Sequence, residues 1–96
     1  MTSTEIIKTL REQMPLMRQQ FSVDRIGLFG SYSRNEQTES SDIDVLVKFN
    51  KHDLKSLIGL LDFLEARLQK KVDIVTDGKQ LSERFKKHVQ SEIIYA

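Results

Sequence analysis

Apolar residues recur along this chain with two different periods, and the change of period marks its elements. Ile6, Ile7, Leu10, Met14 and Met17 fall at helical spacing, which predicts a helix over residues near 3 to 20. Thr2, with Glu5 three residues on, fits a capping box at its start. Pro15 has no backbone N–H and crowds the preceding turn, so a kink or a break into two helices is expected there. Val23–Phe29, "VDRIGLF", then has the composition of a strand, with Gly30 as its terminator. Ile43–Phe49, "IDVLVKF", is a β-branched run apolar on both faces, the pattern of a central strand covered on both sides. From Leu54 to about Gln69, the residues Leu54, Leu57, Ile58, Leu61, Leu64 and Leu68 form one helical stripe, with Leu60 and Phe63 beside it. Lys71–Thr76, "KVDIVT", is a third short strand ended by Asp77-Gly78. The tail from Gln80, carrying Leu81, Phe85, Val89 and Ile93, completes the pattern as a last helix.

The order is helix, strand, a short loop or turn of helix, strand, helix, strand, helix. Alternation of this kind predicts an α/β fold, a small mixed β-sheet flanked by helices. At 96 residues the chain makes one domain, residues 1–96, without repeat or linker. Its 39% hydrophobic and 30% charged content is that of a globular chain, and a net charge of +1 gives no global attraction to nucleic acid or anionic membrane. Without cysteine there is no disulfide framework and no thiolate metal site. Charges interrupt the N-terminal "MTSTEIIKTLREQ" where a signal peptide needs an apolar run, and no stretch approaches a membrane span, so a cytoplasmic location is expected.

Two features run against the strand pattern. Asp is disfavoured in strands, yet Asp42 and Asp44 flank the first residue of "IDVLVKF", and Asp73 interrupts "VDIV". Alternation puts Asp42 and Asp44 on one side, about 6.6 Å apart along the chain. Carboxylates so placed can bind a hard divalent cation such as Mg²⁺, which would also remove their repulsion. If the strand of Asp73 neighbours theirs, three carboxylates meet at one end of the sheet. Taken singly, each has an ordinary alternative: Asp42 capping a turn, Asp44 at a strand end, Asp73 paired with Arg67, Lys70 or Lys71. The Gly30-Ser31 turn, set between a strand and Tyr32-Ser33-Arg34, would offer backbone N–H groups and a hydroxyl to a phosphate, with Arg34 adding a charge-assisted contact.

Gly30-Ser31, ten intervening residues and Asp42-Ile43-Asp44, each beside an apolar strand, resemble the signature of polymerase-beta-type nucleotidyltransferases. "LFGSYSR", "SDIDVLV", "KVDIVT" and the closing "SEIIYA" together resemble the minimal nucleotidyltransferase (MNT) family over essentially the whole chain. One departure is Asn35, where the family usually has Gly; Asn tolerates a left-handed backbone, so the turn is expected to survive.

The resemblance implies a palm-like nucleotidyltransferase fold and transfer of a nucleoside monophosphate from a nucleoside triphosphate, ATP, with release of pyrophosphate. Asp42, Asp44 and Asp73 would be the catalytic, metal-binding residues for two Mg²⁺ ions, with Asp73 also helping to activate the acceptor hydroxyl. Gly30 and Ser31 would hold the β/γ-phosphates, supported by Arg34. Few residues follow Asp73, too few for a domain that grips an acceptor, which favours a protein acceptor. MNT proteins are commonly antitoxins of HEPN-domain RNase toxins, so AMP transfer to a toxin tyrosine and a homo- or hetero-oligomer are implied. A non-catalytic antitoxin acting by contact through the Leu54–Leu68 helix, and a transferase acting on a small molecule, are the competing readings. His52, His88, Met14, Met17, Tyr32 and Tyr95 are read as surface or packing residues.

Overall fold

The computed structural model describes residues 1–96. Helix α1 spans Ser3–Phe21, strands β1 and β2 are Val23–Phe29 and Ile43–Phe49, and helix α2 is Leu54–Leu68. Strand β3 (Val72–Thr76), helix α3 (Glu83–Gln90) and the two-residue strand β4 (Ile94–Tyr95) complete the chain. The capping box is formed: Glu5 N–H donates to Thr2 Oγ1 at 3.2 Å, and Thr2 N–H to Glu5 Oε1 at 2.9 Å. These bonds satisfy donors that a helix start otherwise leaves free.

The sheet has the order β3-β2-β1-β4. β1 runs antiparallel to β2 and β4, while β2 and β3 are parallel, joined through α2 as a parallel pair requires. The mixed sheet flanked by helices is therefore present, with β2 at its interior. Alternation sends Ile43, Val45, Val47 and Phe49 into the main core with α1 and α2. Leu46 joins Phe29 and Val89 in a smaller cluster beneath α3, where the Phe29 and Phe85 rings meet edge to face, 6.0 Å between centroids. A bulge between Val23 and Arg25 shifts the alternation of β1, so that Val23, Ile26 and Leu28 all face the main core.

Several local expectations change. α1 is one helix through Pro15, not two. Pro15 is exposed, so the carbonyl that loses its intrahelical partner can turn to water. On α2 the buried line is Ser56, Leu60, Leu64 and Leu68, while Leu54 and Ile58 are 69% and 52% exposed. Leu60, expected beside the stripe, is thus at its centre. The helix is apolar around more than half its circumference, and the sheet, not the pattern, decides which line is buried. Residues 31–35 form consecutive tight turns in place of a helix, and the last helix stops at Gln90, leaving Ile94 and Tyr95 to add β4 to the sheet. Tyr95 is held there under the Arg25 guanidinium, 4.4 Å above its ring.

Candidate active site

The core-facing neighbours of the acids dictate where the acids go. Ile43 and Val45 point into the main core, so Asp44 between them must face the opposite side, toward α3. The same holds for Asp73, between buried Val72 and half-buried Ile74. In the parallel β2–β3 ladder Asp44 and Asp73 are direct register partners. Two carboxylates thus stand side by side on adjacent strands, and Asp42, one residue before β2, precedes Asp44 by the two-residue step that keeps a side chain on the same face.

None of the three has an ion-pair partner within 4 Å; the ion pairs of the chain are Arg25–Asp77, Arg34–Glu36, Arg34–Glu92 and His88–Glu92. Asp73 therefore pairs with none of Arg67, Lys70 or Lys71. Asp44 is half-buried, and its carboxyl is held above the ordinary range, first by burial and then by repulsion from Asp73, Asp42 and Glu92, against a smaller pull from Arg34. The donor set is hard oxygen, clustered, unpaired and electrostatically frustrated, which fits Mg²⁺. No three acidic side chains are gathered tightly enough to enclose an ion by themselves.

Gly30 adjoins the acids directly. Its φ is +78°, in the region that favours glycine, and a Cβ there would run into Asp44 Oδ2. The turn beyond it is closed by Ser33 N–H to the Gly30 carbonyl (3.1 Å), Arg34 N–H to the Ser31 carbonyl (3.2 Å) and Glu36 N–H to the same oxygen (2.9 Å). Tyr32, 3% exposed, pins the turn by packing into the main core. Asn35 has φ +57°, the left-handed conformation for which Asn is tolerated in place of Gly.

Arg34 is placed differently from a free phosphate ligand. Its Nη1 donates to both Glu92 oxygens, at 2.9 and 3.0 Å, and its Nε lies 3.3 Å from Glu36. The Gly30 N–H also donates to Glu92 Oε2. Glu92 is the residue that sequence reasoning passed over. It carries no local signal in "SEIIYA"; only the pairing of β4 with β1 brings it to Gly30. The largest cavity, about 530 Å³, lies elsewhere, between Ser3–Glu12 of α1 and Ile94. The unpaired acids locate the chemistry better than that cavity does, since its lining holds no comparable cluster.

The nucleotidyltransferase domain family matches residues 7–96. The chain belongs to the nucleotidyltransferase family. Within it, the chain is 38% identical to the protein adenylyltransferase MntA of Thermococcus cleftensis over 96 residues, covering 99% of this chain and 96% of that protein. A solved structure described as a candidate minimal nucleotidyltransferase superposes with a TM-score of 0.79 at 33% identity, covering 98% and 95% of the two chains. A toxin–antitoxin complex with AMP-PNP gives 0.67 at 29% identity, over 99% of this chain and 72% of the other. The MNT antitoxin complex with a tri-AMPylated HEPN toxin of Shewanella oneidensis gives 0.57 at 28% identity, over 97% and 66%. The minimal nucleotidyltransferase fold is thus shared, and the chain is an enzyme of nucleotidyl transfer by family.

Proposed function

We propose that this minimal nucleotidyltransferase transfers AMP from ATP to a tyrosine hydroxyl of a HEPN-domain RNase toxin and so acts as its antitoxin. One observation carries the reading: Asp44 and Asp73, in register and unpaired, share a sheet face with Asp42, and Gly30 packs against Asp44. Asp42, Asp44 and Asp73 would hold Mg²⁺, which when bound neutralises the nucleotide phosphates and favours departure of pyrophosphate. The Gly30-Ser31 turn binds the β/γ-phosphates through backbone N–H groups and the Ser31 hydroxyl. Asp73, exposed on the outermost strand, is the acid that an incoming hydroxyl reaches first. It accepts the hydroxyl proton as the oxygen bonds to the α-phosphorus, and the bond from that phosphorus to pyrophosphate breaks. The open acid face suits a protein acceptor that brings its own surface. Relatives named protein adenylyltransferase, and an MNT relative seen with an AMPylated HEPN toxin, support the acceptor assignment.

The test is to incubate the chain with its partner HEPN protein and ATP labelled at either the α- or the γ-phosphorus. Label from the α-position is expected on the partner and label from the γ-position is not; γ-label retained on protein would contradict nucleotidyl transfer. A contact-only antitoxin is the second reading, favoured by the exposure of Leu54 and Ile58 on α2. Asp42→Asn with Asp44→Asn separates the two, since neutralisation that survives this pair belongs to contact.

A further inference from the structure

Glu92 is the most heavily used carboxylate of the chain, yet it belongs to neither the acid triad nor a packing cluster. Its side chain is 7% exposed. It accepts the Gly30 N–H, takes two contacts from Arg34 Nη1, and stands 3.4 Å from His88 Nε2. These partners lie 62 and 58 residues away in sequence, apart from His88 one turn back.

The sheet explains how it arrives there. β4 pairs with β1 so that Tyr95 faces Gly27 and Ile94 faces Leu28, and Ala96 N–H donates to the Ile26 carbonyl at 3.0 Å. Continuing that register by two residues sets Glu92 opposite Gly30. The backbone ladder has ended there, because the chain turns out of α3 through Glu92 N–H to Val89 carbonyl and Ile93 N–H to the same oxygen, at 3.0 and 2.8 Å. The Glu92 side chain takes the place of the missing ladder acceptor. Gly30 is consequently fixed from two sides, by Glu92 on its N–H and by Asp44 against its Cα. The next two N–H groups, of Ser31 and Tyr32, donate to no protein acceptor. They are the donors the turn has left to offer.

We propose that Glu92 is a positioning residue for the nucleotide, latching the C-terminal strand to the Gly30-Ser31 turn and holding Arg34 beside it, so that the free N–H groups of the turn are preorganised for the triphosphate. The inference rests on the functional reading above. Preorganisation of this kind acts on binding, because the ordering cost is met during folding and not when the nucleotide arrives. Arg34 has a shielding role: it neutralises Glu92, without which a carboxylate beside the phosphate site would repel the nucleotide.

The test uses the full chain and its Glu92→Ala, Glu92→Gln and combined Glu92→Ala, Arg34→Ala variants. Four readouts are taken: amide hydrogen exchange at Gly30 without nucleotide, affinity for a non-hydrolysable ATP analogue with Mg²⁺, KM and kcat of transfer from ATP, and Tm. Glu92→Ala is expected to speed exchange at Gly30 and to weaken nucleotide binding about tenfold, raising KM with kcat nearly unchanged. Glu92→Gln, which keeps an acceptor for the Gly30 N–H, is expected to restore most of both. A variant that lost only stability would show a lower Tm without this selective change in KM. Equal or tighter nucleotide binding by Glu92→Ala would overturn the proposal, by showing that the carboxylate competes with the phosphates. A further loss of affinity when Arg34→Ala is added to Glu92→Ala would overturn it too, because with no carboxylate left to shield the loss would make Arg34 a phosphate ligand. If the wild-type chain binds no nucleotide, the functional reading fails and the inference with it, while slow exchange at Gly30 would still report the latch.

Discussion

At the scale of single residues, Gly30 and Asp44 are mutually constrained. Gly30→Ala would place a methyl group on Asp44 Oδ2 in a backbone conformation already unfavourable to alanine. A loss of about 1–2 kcal/mol in stability is expected from the backbone alone, measured by urea unfolding. Displacement of the Asp44 carboxylate should cost about a hundredfold or more in transfer rate. Asp44→Asn is expected to separate stability from activity. The folded state raises the pKa of Asp44 above its unfolded value, so the ionised carboxylate destabilises the fold above that raised pKa. This penalty fades as pH falls through it. In Mg²⁺-free buffer at neutral pH, Asp44→Asn should therefore raise Tm, with the gain vanishing in acid, while transfer assayed with Mg²⁺ is abolished. A lower Tm for Asp44→Asn would contradict the crowding of acids at this site. The three aspartates and the Gly-Ser turn were legible in the sequence because two lie in one short stretch and all break strand propensity. Glu92 was not legible, because its contacts exist only once β4 has paired with β1.

At the scale of elements, the period of apolar residues identified α1, α2 and the three longer strands, and Thr2 with Glu5 marked the start of α1. It did not choose the buried face of α2, since six leucines and one isoleucine within Leu54–Leu68 satisfy more than one stripe. The structure makes a sharp distinction between neighbours. Leu60→Ala, at a site with no exposure, should cost about 2–5 kcal/mol. Ile58→Ala, at 52% exposure, should cost well under about 1 kcal/mol. Urea unfolding of both variants decides it, and similar losses would mean that α2 is rotated from its position here. β4 escaped notice for a different reason: two residues are too short to show a period, and Ile93 also fits the helical spacing of Leu81, Phe85 and Val89.

At the scale of the whole molecule, one small sheet carries the three acids, and the helices build a core on each of its sides. α1 and α2 cover one side completely enough to build the main core, which leaves the other side to α3, the acids and the Gly-Ser turn. No helix is long and apolar enough to cross a membrane. Whether this acid face modifies a protein partner is decided by the intact mass of that partner. After incubation of the HEPN protein with this chain, ATP and Mg²⁺, its mass should rise by whole AMP units carried on tyrosine, with its RNase activity lost in step, and neither change should occur with the Asp42→Asn, Asp44→Asn chain. An unmodified partner that is nonetheless silenced equally by both chains would mean that the chain acts by contact and not by AMP transfer.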